Sequence, residues 1–379
     1  HYCSRRQRQM CIRDRYDSGS QLWVDAGSRL EGEVDYNRYG RSVAVSANGS
    51  RIAIGKPTSY ARVDPATVTV YEWDASQTDW SRVGGAMPSP YDDSVRCGNS
   101  VAMSDDGSVV AMGCLSQGES IGLVQVHEWD ALNSDWTLRG QQLSAEYDGH
   151  MVALSGDGRV VAIGAPLSNT AWADPLYNAG SARAYAWDDA LSEWVQRGDA
   201  FQPNVGRAAF GSSVALSADG NVLAIGAPGY TYSCDPNPQD ICKGSVSVFR
   251  WDGGAWAPMG DDIVGPDHAS HIGESVALNA HGDVLAIGSH ALMVYDGRDR
   301  AGHYHGRVYA WDDVAGAWSA VGSGVDGGSD NGMSYQAFSS VALSGDGTRM
   351  AMGAWPWKGY EQDTELSEGL VRVYDAVAS

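Results

Sequence analysis

The sequence has no apolar run approaching the roughly 18 residues that a membrane span needs, so no spanning helix is expected. It is poor in basic charge: 26 Lys and Arg stand against 47 Asp and Glu, a formal net charge of −21. A field of that sign repels nucleic acid and anionic membrane, and no basic stripe offsets it. Phe is scarce at 4 and Pro modest at 13, whereas Gly reaches 47 in 379 residues. That mix suits strands and tight turns more than helices. His-Glu-x-x-His and the phosphate loop are missing too. Carboxylates are too many for a glycosidase dyad to be picked out. No residue is therefore assigned a catalytic role.

Residues 1–15 (HYCSRRQRQMCIRDR) are basic and polar, unlike the rest of the chain, and lack the apolar stretch of a signal peptide. They resemble translated adapter sequence and are set apart from the fold. Residues 16–379 are expected to form one domain. Cys234 and Cys242 bracket a short polar loop and are expected to form a local disulfide, which implies an oxidising compartment. Cys97 and Cys114 fall on expected partner strands. A second bridge and two buried thiols are both open for them.

What the chain does contain is a repeat. One phrase recurs at 39–56, 97–114, 148–165, 210–227, 272–289 and 337–354; the fourth copy reads FGSSVALSADGNVLAIGA. The spacing is about 60 residues, longer than WD or kelch repeats. Each phrase reads as a hairpin: an apolar run, then Asp-Gly, Asn-Gly or His-Gly, then a second run. The dipeptides predict two-residue type I′ turns. The runs have no strongly polar face, so both sides should be buried. A third run comes next and ends at Trp-Asp in most copies (Trp73-Asp74, Trp129-Asp130, Trp187-Asp188, Trp251-Asp252, Trp311-Asp312). A fourth starts at Trp80, Trp136, Trp194, Trp256 or Trp318 and runs to a Gly. Four strands per unit and six units predict a six-bladed β-propeller of antiparallel blades. The sixth unit lacks its Trp strand, and residues 21–27 (QLWVDAG) are an orphan Trp strand. Leu22–Asp25 is expected to close the ring against the strand ending at Tyr374, removing an open edge.

Phe210-Gly211 with Gly226-Ala227-Pro228, and Gly164-Ala165-Pro166, resemble the FG-GAP repeat of the integrin α-subunit propeller. The resemblance covers residues 20–376. It implies extracellular or cell-surface recognition of ligands, and hence cell adhesion. It also implies calcium loops, Asp-x-Asp-x-Asp-Gly, whose alternate carboxylates would surround the ion. Here the turns read Ser46-Ala-Asn-Gly49, Ser104-Asp-Asp-Gly107, Ser155-Gly-Asp-Gly158 and Ser217-Ala-Asp-Gly220, with too few carboxylates. No cofactor is expected. The Trp-Asp pairs do not make WD repeats, because the period differs; those Trp are expected to pack between outer strands.

The loops joining second to third strands emerge on one face and carry the chain's variety. Tyr60, Trp172, Tyr177, Tyr230, Tyr232, Tyr304, Trp355, Trp357 and Tyr360 sit there, as aromatics do at recognition surfaces. His268, His271, His290, His303 and His305 gather in the fifth unit, a donor set that suits Zn²⁺ or Cu²⁺ but matches no standard spacing. The leading expectation is a monomeric recognition module binding protein or glycan through this face. The alternative is a glycan-active hydrolase or lyase with its site in the central top pocket.

Overall fold

The computed structural model describes residues 14–17, 22–32, 38–57, 66–90, 95–116, 122–145, 150–168, 178–203, 208–229, 243–265, 271–289, 306–325, 336–356 and 370–375. Among them are strands and turns and no helix, and the strand order is that of a six-bladed β-propeller, as expected. No described helix is long and apolar enough to cross a membrane. The chain divides into two compact units, residues 1–161 with 186–195 and residues 162–185 with 196–379. The division passes through the third blade.

A two-stranded sheet pairs β1 (Asp14–Asp17) with β2 (Leu22–Asp25). Blade 1 is β3 (Ser42–Val45), β4 (Arg51–Lys56), β5 (Thr67–Asp74) and β6 (Asp79–Arg82), with β7 (Met87–Pro88) also on β5. Blade 2 is β8 (Val95–Met103), β9 (Val109–Ser116), β10 (Gly122–Asp130) and β11 (Asp135–Leu138), with β12 (Leu143–Ala145) on β10. Blade 3 is β13 (Met151–Leu154), β14 (Val160–Ala165), β15 (Ser181–Asp188) and β16 (Glu193–Gln196). Blade 4 is β17 (Ser213–Leu216), β18 (Val222–Ala227), β19 (Ser245–Trp251) and β20 (Trp256–Pro258), with β21 (Ile263–Val264) on β19. Blade 5 is β22 (Ile272–Leu278), β23 (Val284–Ser289), β24 (Gly306–Asp312) and β25 (Ala317–Val325). Blade 6 is β26 (Gln336–Leu343), β27 (Arg349–Pro356) and β28 (Leu370–Asp375).

Two sequence expectations change in detail. Leu22–Asp25 is a strand, but its described partner is β1, where Val371–Tyr374 was expected. An edge strand pairs with backbone close by, and the hairpin needs only a short connection. Asp14 and Arg15, expected to lie outside the fold, thus belong to a strand. The phrase turns are not two-residue type I′ turns either. Gly49, Gly107, Gly158, Gly220, Gly282 and Gly347 have positive φ, but none of the residues before them does. The loop holds five residues in blade 4 (217–221) and is tied by side chains. In blade 4 the Ser217 hydroxyl donates to Asp219 at 2.6 Å and accepts the Val222 N–H at 2.9 Å. Asp219 in turn accepts the Asn221 N–H at 2.9 Å. The wider loop would otherwise leave these N–H groups unpaired beside a buried strand. The same Ser and Asp contacts recur at Ser104, Ser155 and Ser344.

Neighbouring blades are joined by three repeated devices, each seen within a single unit. In the first four blades the glycine near the end of the phrase touches the next blade's backbone: a Cβ on Gly55 would fall on the Gly98 carbonyl oxygen, and one on Gly226 on that of Gly273. Beside that contact a serine bridges first strands, Ser42 to the Gly98 carbonyl and Ser213 to the Gly273 carbonyl, both at 2.8 Å.

The third device is the tryptophan that opens each fourth strand. Its indole N–H donates to a fourth-strand carbonyl one repeat earlier. In the first unit Trp80 donates to Ala26 at 2.9 Å, Trp136 to Val83 at 3.0 Å and Trp194 to Arg139 at 2.8 Å. In the second, Trp256 donates to Arg197 at 2.7 Å and Trp318 to Met259 at 2.9 Å. The acceptor always precedes a glycine of positive φ (Gly27, Gly84, Gly140, Gly198, Gly260), and the space a Cβ would need there is filled by the ring of a Trp-Asp tryptophan. Trp73 packs edge-on against Trp80 at 5.3 Å, and Trp129 against Trp136 at 5.4 Å. Ala26 and Gly27 therefore meet blade 1 as Val83 and Gly84 meet blade 2 and as Met259 and Gly260 meet blade 5. The aspartate of each pair caps the turn after it: Asp130 accepts the N–H groups of Leu132 and Asn133.

Gly226→Ala should cost more than 3 kcal/mol, since backbone cannot move aside for the new methyl, whereas Gly49→Ala, with open space around it, should cost only about 1–2 kcal/mol for its positive φ. Urea denaturation measures both. In the blade 4 turn, Ser217→Ala and Asp219→Ala should each cost about 1–2 kcal/mol. Because they break one shared network, a double-mutant cycle should show their costs to be less than additive.

Candidate functional site

The described roots of the loop-bearing face are where functional side chains meet ordered backbone. In the first unit these are the entries to β3 and β8. Arg38 has a left-handed backbone, φ 55°, and leads into Tyr39 and Gly40. The Tyr39 and Tyr71 hydroxyls are 3.1 Å apart, and Gly40 N–H donates to the Gly55 carbonyl at 3.0 Å. Arg96 lies in β8, opposite Leu115 of β9. Next to it Cys97 and Cys114 are directly opposed, fully buried and joined as a disulfide, which decides between the bridge and the two buried thiols. A bulge lies between Cys97 and Ser100. Arg96 is thus held on a strand whose register is covalently fixed one residue away.

Arg38, four residues ahead of β3, and Arg96, on β8, occupy one repeat offset, each two residues before the glycine (Gly40, Gly98) that opens the phrase. The turns touch through Ser42 and Gly98. Burial, and after it the Arg38 charge, lower the Arg96 guanidinium's pKa. The Arg96 Nε is out of solvent contact and makes no hydrogen bond. Arg29, Arg51, Arg139, Arg159, Arg250 and Arg349 each have a carboxylate within ion-pair reach, and among the described residues neither Arg38 nor Arg96 does. These two arginines were not among the expected site residues. The signal was available, since both sit at the same offset from a repeat glycine.

In the second unit His271 lies at the matching offset before Gly273, is 1% exposed and has φ 42°. Its Nδ1 is 2.9 Å from the Pro228 carbonyl, and Ile272 N–H donates to the Lys243 carbonyl at 3.2 Å. The two residues thereby grip both ends of the connection between β18 and β19. A carbonyl only accepts, so Nδ1 carries the proton and Nε2 the lone pair in the neutral ring. Of the other expected residues, Trp355 falls on β27 opposite Ala337. Tyr60, Trp172, Tyr177, Tyr230, Tyr232, Tyr304, Trp357, Tyr360, His268, His290, His303, His305, Cys234 and Cys242 lie outside the described residues.

Residues 118–122 read Gly-Glu-Ser-Ile-Gly, a match to Gly-x-Ser-x-Gly, a motif expected to be absent from the chain, and that expectation is corrected. A nucleophile elbow needs a strand followed by a helix. Here the flanking elements are β9 and β10, an antiparallel pair, so the context that gives the motif its chemistry is missing.

Comparison with known proteins places the fold. No family model matches the chain, and no curated protein matches it by sequence. Solved structures do match. The periplasmic gluconolactonase of Pseudomonas aeruginosa aligns over 96% of this chain and 94% of its own, at 15% identity and TM-score 0.57. A Bacteroides uniformis protein described as a candidate 6-phosphogluconolactonase aligns over 96% and 92%, at 13% identity and TM-score 0.58. A Lactobacillus plantarum protein aligns over 96% and 94%, at 12% identity and TM-score 0.56. The chain has a β-propeller fold, the class that these structures share. The expected recognition module of integrin type is corrected by this result: the end-to-end matches include gluconolactonase-type propellers, and the FG-GAP resemblance finds no support. The repeat glycines that carried it are explained by blade-to-blade contact, which any propeller of this close packing requires.

His127 is a buried titratable group outside these roots. It lies on β10 where blades 1, 4 and 5 have Tyr71, Phe249 and Tyr309, and burial pushes its pKa from 6.5 down to about 4. The unfolded chain takes up this proton as pH falls through about 6.5, and the folded chain only near 4. Folding stability should therefore fall with pH across that window, by at most about 3 kcal/mol. His127→Phe, which copies blade 4, should flatten the slope between those limits in chemical denaturation at a series of pH values.

Proposed function

We propose that the protein is a hydrolase acting on a small sugar-derived lactone or glycoside, with its site at the loop-bearing ends of the first strands. The observation that supports this is the end-to-end match to the Pseudomonas aeruginosa gluconolactonase, over 96% of one chain and 94% of the other. The Cys97–Cys114 bridge supports an oxidising, extracytoplasmic setting. No calcium is invoked, since the carboxylates of the phrase turns are engaged by their own loops.

The test is turnover of glucono-δ-lactone, followed by acid release in weak buffer and corrected for spontaneous opening, beside a panel of p-nitrophenyl glycosides. Acceleration of lactone opening is expected, and Arg96→Gln should lower it at least tenfold. A protein that accelerates neither lactone nor glycoside cleavage is not this hydrolase.

A further inference from the structure

The arginine pair of the first unit has more positive charge than its surroundings account for. The chain as a whole is strongly acidic, with a net charge of −21. Gly40 and Gly98 both meet Gly55, which brings the backbones before them to neighbouring blade entries. Among the described residues neither Arg38 nor Arg96 has a carboxylate within ion-pair reach, as is also true of Arg41, Arg82 and Arg372. Arg38 is exposed and Arg96 half-buried, and two like charges brought near each other cost free energy, more so where one is half-buried, unless an anion joins them. The local structure holds the pair in place despite that cost. Arg38 is kept in a left-handed conformation that a non-glycine residue rarely adopts. Arg96 is fixed by the disulfide beside it and by the bulge after it. Its Nε has lost water and gained no acceptor.

We propose that Arg38 and Arg96 form the binding site of a small oxyanion, a carboxylate or phosphate group carried by the substrate. A planar guanidinium offers paired donors that match two oxygens of either group, and two guanidiniums can hold one oxyanion between them. An arriving anion converts the repulsion into two charge-assisted contacts and supplies Nε with an acceptor. The proposal deepens the hydrolase reading by giving the substrate a negative charge. Its test uses binding alone, so that the two can fail separately.

The probes are inorganic phosphate, gluconate and neutral glucose, followed by calorimetric titration and by melting temperature at low ionic strength. Phosphate or gluconate should bind and raise the melting temperature, while glucose should do neither. The tighter of the two anions identifies the group recognised. Arg38→Gln and Arg96→Gln should each weaken that anion at least tenfold, Arg96→Lys should weaken it less than Arg96→Gln, and Arg250→Gln should leave it unchanged. Without anion, Arg38→Gln should melt no lower than the parent, because it relieves a repulsion. The proposal is overturned if neither anion binds the parent protein, or if both glutamine variants bind as the parent does. It also fails if Arg38→Gln lowers the anion-free melting temperature while leaving anion binding intact. Absence of lactone turnover with this binding pattern intact would remove the hydrolase reading and leave the oxyanion site standing.

Discussion

The hydrogen bond from a fourth-strand tryptophan to a carbonyl one repeat earlier is the contact on which the rest of each unit is arranged. On its own it contributes only about 1 kcal/mol. Its placement gives it weight. The accepting carbonyl lies at a glycine turn, the glycine admits the edge of a second tryptophan, and the two rings pack edge-on. At Arg139 and Arg197 the accepting residue also lays its guanidinium over the same pair of rings, 4.6 Å from Trp187 and 4.7 Å from Trp251. One joint thus combines a backbone acceptor, an aromatic pair and a cation over a ring face. The glycine and serine contacts of the first strands secure the other edge of the blade.

This division of labour is visible along the chain. The second strands β14 and β18 are buried on both faces, whereas first strands such as β3 and β17 are only partly buried and are joined to the next blade by contact with its backbone. The third and fourth strands are held by side chains, and there Trp and Asp recur. The connections between second and third strands differ in length and composition from one repeat to the next. Arg38, Arg96 and His271 sit at the boundary between these regimes. Each stands one residue ahead of the repeated phrase, at the variable end of its first strand.

The fold was legible because its joints need particular residues. A glycine whose Cβ would strike the next blade recurs in the first four blades, a tryptophan whose N–H must reach a carbonyl recurs in the first five, and together they betray the period. The turn type was not legible, since Asp-Gly is common to two-residue and longer loops, and only the hydroxyl contacts of Ser217 and its counterparts separate them. The site was less legible still. Loop aromatics drew attention because aromatics are conspicuous, whereas Arg38 and Arg96 differ from their counterparts Ala209 and His271 at a column just outside the repeated phrase. Charge without a partner cannot be seen in sequence. It depends on which carboxylates lie within reach once the strands have paired. The likeness of the phrase to an integrin repeat arose from the same close packing, and packing carries no information about ligand.

The tryptophan joint has a direction. Each blade that makes it presents a donor on one flank and an acceptor on the other, and the two flanks are different surfaces. The arrangement is head-to-tail, like a heterologous subunit interface, rather than self-complementary. A blade therefore recognises that a neighbour precedes it but holds no record of how many neighbours there are. Insertion or loss of a whole repeat would leave every remaining joint chemically intact. Blade number in such a chain is consequently a matter of accumulated curvature, and a gene that gained or lost one repeat by unequal exchange would meet a steric test before an energetic one.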